Sequence, residues 1–165
     1  MMKHLVLAAL LALGACGNNS SGVMREIERA EKEEAAQVED PYTLASGVEM
    51  QFQRRGTDQT LARPSAEAVV LVHYEGSLVS NGEVFDSSFQ RGQPVDFPLP
   101  AVVRGFSEAI QQMRPGDEVV ATFPGELGYG ERGSPPVIPP NAALRFRIQL
   151  IAFQEADGTI VGVPQ

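Results

Sequence analysis

Past the first fifteen residues, the side chains able to do covalent chemistry are few and scattered. Cys16 is the only cysteine, and His73 is the only histidine after His4. No Ser/His/Asp or Cys/His set can be assembled from them, and no phosphate-binding loop or metal-ligand spacing occurs. His73 lies within the apolar run Val69 to Glu75, where a lone histidine is ordinarily structural. Acidic pairs such as Glu33-Glu34 fall in a charged, solvated stretch. Nucleophilic, hydrolytic and redox catalysis are therefore not expected, and neither is a metal or cofactor. What remains is a group of aromatic and aliphatic residues at the ends of elements, with one aspartate, Asp86, among them. Taken singly, Tyr74, Phe97 and Phe146 read equally well as core aromatics, and Asp86 before Ser87 as a turn residue. Tyr129 is harder to dismiss, because a large aromatic in a glycine-rich loop gains little by itself. The chemistry open to such a set is non-covalent.

The segment that must position Tyr129 is Leu127 to Asn141, LGYGERGSPPVIPPN. Its four prolines fix φ, while Gly128, Gly130 and Gly133 allow turns that other residues disfavour. It reads as a long shaped loop over a sheet, and long loops in compact domains are commonly functional.

The chain has 165 residues, 43% of them hydrophobic, which suits one domain with appendages. A net charge of −8 offers no basic patch to offset phosphate, so nucleic acid is not an expected partner. At the N-terminus, Lys3 precedes the apolar run Leu5 to Leu13, which is too short to span a bilayer and ends in Gly14 and Ala15. This marks residues 1–15 as a signal peptide. Leu13-Gly14-Ala15-Cys16 resembles the lipobox of bacterial lipoproteins, in which the cysteine becomes the acylated first residue. The plainer alternative is a secretory signal that happens to end beside a cysteine. Acylation at Cys16 would attach the chain to a membrane firmly, since more than one acyl chain is added. Gly17 rather than Asp after that cysteine points toward the outer membrane, on the periplasmic side of the bacterial envelope.

Residues 16–43 read as a tether and spacer. Gly17 to Gly22 is flexible, and Met24 to Glu39 has helical composition, with Glu28 and Lys32 at i,i+4 spacing. Met24, Ile27, Ala35 and Val38 form a thin apolar stripe, which leaves open a solvated spacer helix or a dimerisation face. Pro41 ends it. From Ser46 the periodicity becomes alternating: Val48, Met50 and Phe52 mark a half-buried strand. Val69 to Glu75 predicts a central strand, Gly76 to Gly82 a turn with an Asn81-Gly82 hairpin signal. Phe106, Ala109, Ile110 and Met113 mark one short helix, stopped by Pro115-Gly116. Two further strands are expected over Glu118 to Pro124 and Ala143 to Phe153. The fold class is α+β, several antiparallel strands against one short helix.

In that order along the chain stand Val72-His73-Tyr74-Glu75-Gly76, Val84-Phe85-Asp86-Ser87-Ser88, Val102-Val103-Arg104-Gly105-Phe106, Gln112-Met113, Gly128-Tyr129-Gly130, Val137-Ile138-Pro139-Pro140-Asn141 and Leu144-Arg145-Phe146. Together these blocks resemble the FKBP-type peptidyl-prolyl isomerases, over residues 44–154, with 155–165 left as a C-terminal tail. With the lipobox, the spacer and Ser46-Gly47-Val48, the chain is similar to the family's bacterial envelope branch. The resemblance implies an antiparallel half-barrel wrapped around the short helix, with an apolar pocket between them. Carried onto this sequence, it makes Tyr74, Phe85, Phe97, Val102, Val103, Tyr129 and Phe146 the pocket walls, with Ile138 at the lip and Phe106 at the floor. Asp86 matches the family's pocket aspartate, and Arg91 a basic residue near it. Tyr129 hydroxyl and the Ile138 amide would donate hydrogen bonds to substrate carbonyls.

The implied reaction is isomerisation of X–Pro bonds in exported polypeptides, with Asp86, Tyr129 and Phe106 as its principal residues. The implied ligands are proline-containing unfolded chains and FK506-like macrolides. The rival reading is a peptide-binding chaperone module of the same fold with little or no isomerase activity. Four features depart from the family pattern. Phe106 replaces a tryptophan common at the floor, and Val95 stands where an aromatic often helps form the wall. Ser134-Pro135-Pro136 alters the loop tip, and Pro98-Leu99-Pro100 shortens the approach to Val102.

Overall fold

The structure is a computed structural model that describes residues 40–162. The signal segment, Cys16, the tether and the spacer helix expected before residue 40 lie outside the described residues, as do residues 163–165. Among the described residues, eight antiparallel strands form one sheet: β1 (Tyr42–Thr43), β2 (Glu49–Arg54), β3 (Val69–Leu78), β4 (Val84–Ser87), β5 (Val95–Pro98), β6 (Glu118–Phe123), β7 (Leu144–Gln154) and β8 (Ile160–Gly162). The main path runs β1-β2-β6-β7-β3-β4, with β5 pairing to β3 and β8 to β7. The residues after Gln154, expected as a tail, thus return as β8 against the end of β7.

Alternation decides which face is buried. Val48, Met50 and Phe52 point inward beside Val119, Ala121 and Phe123 of β6 and Leu144, Phe146, Ile148 and Leu150 of β7, all fully or nearly fully buried. β3 and β7 are the longest strands and pair along their whole length, from Val69 with Gln154 to Leu78 with Leu144. This pairing carries β3 past Glu75, where the sequence signals a turn at Gly76. The chain turns only at Gly82, whose φ of 74° suits glycine and whose N–H donates to Leu78 O at 2.8 Å. Register shifts at Leu71/Val72 and Gly76/Ser77 mark bulges that increase the sheet's curl.

The expected helix forms over Arg104–Ile110 and ends one turn before Met113, which is still buried in the core. Gly105 lets it lie close on the sheet: a Cβ there would sit 2.4 Å from the Phe123 ring. A second helix, Ser88–Arg91, is a single turn that periodicity could not show. Ser87 Oγ accepts the Gln90 N–H at its start, and Gly92 at φ 71° closes its end.

Candidate functional site

Between the helix and the sheet lies a cavity of about 280 Å³ lined by Tyr74, Asp86, Phe97, Ala101, Val102, Val103, Phe106, Tyr129 and Phe146. Each side chain is set there by a regular element. Tyr74 and Phe146 are inward positions of β3 and β7, Phe97 of β5, and Phe106 lies in the first turn of the helix. Val102 and Val103 lead into that helix, and Tyr129 comes from the loop after β6. Phe106 packs edge-on against Tyr74, Phe97 and Phe146, with ring centroids 6.1, 6.0 and 5.1 Å away. Such edge contacts each add about 0.5–1.5 kcal/mol beyond burial, which favours this arrangement of the aromatic floor.

Two expected pocket residues lie outside this lining. Phe85 packs edge-on behind Phe146, with centroids 5.6 Å apart, and both rings cross the face of Gly76. A Cβ at Gly76 would meet those rings at 2.6 and 2.7 Å. Gly76→Ala should therefore cost about 1–3 kcal/mol of stability, read as a lower thermal midpoint; an unchanged midpoint would mean both rings shift freely. Ile138 is buried, and its N–H donates to Ser134 O at 2.9 Å, so that amide is held within the loop. The loop is further closed by Asn141 N–H on Gly130 O at 2.8 Å. Ala101 joins the lining without any sequence signal, being small and carried in by the turn Leu99–Ala101. Val95, half-buried in β5, packs on the core and leaves the pocket wall to Phe97.

Asp86 is held by its neighbours. Tyr74 hydroxyl donates to Asp86 Oδ2, Arg91 Nη1 donates to Oδ1, and Arg91 Nη2 reaches Tyr74 Oη at 3.1 Å. Burial pushes the Asp86 carboxyl up, but the hydrogen bonds from Tyr74 and Arg91 outweigh it and hold the carboxyl below its ordinary value. Burial, reinforced by the hydrogen bond to Asp86, raises the Tyr74 phenol above 10.0. Tyr129 is likewise raised, first by burial and then by the Asp86 charge.

Sequence reasoning missed what steadies this trio. Ser88 Oγ is fully buried, accepts the Tyr74 N–H at 2.8 Å, lies 3.2 Å from Tyr74 O and 3.1 Å from His73 Nδ1. His73 itself stacks on Phe89, with centroids 5.0 Å apart, as part of the sheet's outer face. The one-turn helix Ser88–Arg91 therefore fixes the Tyr74 backbone at its start and returns Arg91 to Asp86 at its end. Among the described residues, no group of three or more His, Cys, Asp or Glu side chains could hold a metal ion.

Residues 61–151 match the family model described as FKBP-type peptidyl-prolyl cis-trans isomerase. Peptidyl-prolyl cis-trans isomerase Mip of Coxiella burnetii is 44% identical over 113 residues, which is 68% of this chain and 47% of that protein. FK506-binding protein 1 of Dictyostelium discoideum is 42% identical over 110 residues, covering 66% of this chain and 99% of the relative. Among solved structures, a Pseudomonas syringae peptidyl-prolyl cis-trans isomerase superposes with a TM-score of 0.63 at 31% identity, covering 85% of this chain and 98% of that one. FkpA from Escherichia coli gives 0.63 at 28% identity, covering 88% and 63%. The match spans about half the length of several curated bacterial relatives, 47% of the Coxiella protein and 45% of FkpA from Aeromonas hydrophila. With more than half of its residues inside the family model and the ordered pocket in place, the chain belongs to the FKBP-type peptidyl-prolyl cis-trans isomerase family.

Proposed function

We propose that this protein accelerates cis–trans isomerisation of X–Pro bonds, binding the twisted amide without any covalent step. The observation that carries this is a mostly aromatic and aliphatic cavity with a donor at its mouth: Tyr129 is 39% exposed, lines the pocket, and its hydroxyl has no hydrogen-bond partner among the described residues. Rotation about an X–Pro bond crosses a barrier of ~18–20 kcal/mol because amide resonance is lost in the twisted state. An enzyme lowers it by binding the twisted form better than the planar one. The planar amide is the more dipolar, so transfer into an apolar cavity disfavours it relative to the twisted form. Proline would sit on Phe106, walled by Tyr74, Phe97, Val102, Val103 and Phe146.

Carbonyl groups of the client need donors. With the Ile138 amide engaged by Ser134, we infer that the second donor beside Tyr129 is Val103 N–H, for which no backbone partner is found among the described residues. Val103 lines the pocket at the N-cap of the helix, where amide groups have no acceptor within the helix. Asp86 holds Tyr74 and Arg91 in place at the side of the pocket. Ile138 and Phe85 support the loop and the Phe146 wall. A protease-coupled assay with a proline tetrapeptide tests the reading: a rate above background is expected, and none would sink it. Binding of such a peptide without any rate would instead favour a chaperone module of this fold. Tyr129→Phe removes only the hydroxyl, so kcat/KM should fall about 3–10-fold with an unchanged melting curve; an unaltered rate would remove Tyr129 from the donors.

The clients we infer are exported proteins with proline-limited folding, which otherwise waits tens to hundreds of seconds per bond. FK506-like macrolides would compete for the same cavity. Anchoring through acyl chains on Cys16, on the periplasmic side of the outer membrane, rests on the lipobox sequence and on Gly17. Mass spectrometry of the mature N-terminus checks it; an unmodified chain beginning elsewhere would refute it.

A further inference from the structure

Phe85 and Arg91 border a second cavity of about 290 Å³ rather than the aromatic one, together with Val84, Ser87 and Gln90. Asp86 borders both, so the two adjoin at that side chain. The second cavity lies along β4, the last strand on its side of the sheet path. No described strand pairs with the outer side of β4, and an edge of that kind presents unpaired N–H and C=O groups. The bulge in the β3–β4 ladder leaves Phe85 without a register partner between Val84 and Asp86. Val84 is 40% exposed, an apolar side chain in a strand that is otherwise partly or fully covered.

The lining is mostly hydrogen-bonding: Ser87, Gln90, Asp86 and Arg91. Asp86 and Arg91 neutralise each other in an ion pair, so the groove has no net charge with which to select a charged side chain. A neutral, polar groove beside a strand edge suits an extended main chain, which carries a donor and an acceptor at every residue. We propose that this groove is a subsite for the extended main chain of client residues flanking the proline, bound along β4. It rests on the isomerase reading, and its occupant follows from its place against the proline pocket, on the other side of the Asp86 they share. β4 is four residues long, so three or four client residues beyond the X–Pro pair would run along it at about 3.3 Å per residue.

The test compares the purified full chain on a short proline tetrapeptide and on the same peptide lengthened by three residues, before or after the X–Pro pair. Lengthening on one side should raise kcat/KM on the order of fivefold, the effect of one or two added main-chain hydrogen bonds. Val84→Asp, which charges the edge, should abolish that gain while leaving the tetrapeptide rate as it was. Gln90→Ala should reduce the gain and guards against a Val84→Asp chain that melts early. A gain on neither side, or a gain untouched by both variants, overturns the subsite. No rate on the tetrapeptide would sink the isomerase reading instead, and fluorescence anisotropy of the labelled long peptide would still read the groove: affinity lowered by Val84→Asp supports it, and equal affinity overturns it.

Discussion

Replacing Asp117 with alanine is expected to lower stability by about 3–5 kcal/mol, the usual result of removing one partner from a buried charge pair. Asp117 is fully buried and accepts from four donors. Arg55 Nη1 and the Arg114 N–H meet Oδ2 at 3.2 and 2.9 Å; the Gly56 N–H and Gln59 Nε2 meet Oδ1 at 2.7 and 3.1 Å. The carboxylate thus clasps the loop after β2 to the turn after the helix. Gly56 must be glycine for this, because a Cβ would lie 2.5 Å from Pro115 O. Arg55 is also fixed from its other side, over the Phe52 ring at 3.4 Å. Alanine would leave the Gly56 and Arg114 amides and the Arg55 guanidinium without this acceptor in a site that water reaches poorly. Thermal melting should show a drop on the order of 10–20 °C. Asp117→Asn keeps one acceptor oxygen and should fall between the two. A midpoint within a degree or two of the parent would show that the clasp is replaced by solvent at little cost.

That clasp was not legible in the sequence, whereas most of the sheet was. Val48-Met50-Phe52 and Leu144-Phe146-Ile148-Leu150 alternate because one face is buried, and the structure buries those residues. The helix was visible because Phe106, Ala109, Ile110 and Met113 share one face, and all four are in the core. The turn at Gly76 was misplaced because glycine ordinarily punctuates a strand; here it is small so that Phe85 and Phe146 can pass it, a reason that lies on two other strands. The helix Ser88–Arg91 is too short for periodicity. Its signal was local: Ser87 followed three residues later by Gln90, then Gly92, the pattern of a capped single turn. Asp117 carries no such signal, since its partners at 55, 56 and 59 are brought to it only by the fold. In the site, aromatic identity was readable from ordered blocks, but which rings face the cavity was not. Phe85 and Phe97 look alike in sequence, and only the bulge in β4 and the pairing of β5 to β3 separate their roles.

Asp86→Ala is expected to lower kcat/KM about 10- to 100-fold, with a smaller effect on folding. Both carboxylate oxygens of Asp86 are engaged, one by Tyr74 and one by Arg91. Its removal releases the Tyr74 ring, which meets Phe97 and Phe106 edge-on, and leaves the Arg91 guanidinium without its carboxylate partner. The loss of one or two charge-assisted hydrogen bonds, each contributing about 1.5–3 kcal/mol, sets the scale if half of that reaches the transition state. Asp86→Asn should retain part of the rate, because an amide oxygen can still accept from Tyr74. The pH dependence separates this role from a proton-transfer role. Asp86 is held below 3.8 and the Tyr74 and Tyr129 phenols above 10.0, so none of the three changes charge between about pH 5 and 9, and none should impose a pH dependence on the rate there. Because the folded carboxyl is depressed, its contribution to stability is present above pH 3.8 and lost as pH falls through the lower folded value. Asp86→Asn should lack that acid-side loss. In the same variant both phenols should ionise at lower pH than in the parent, since the Asp86 charge helps to raise them. Ultraviolet titration of the tyrosines reads that shift directly. A full rate in Asp86→Ala, with tyrosine titration unchanged, would remove Asp86 from the site and leave the pocket's aromatic walls as the whole of the catalytic apparatus.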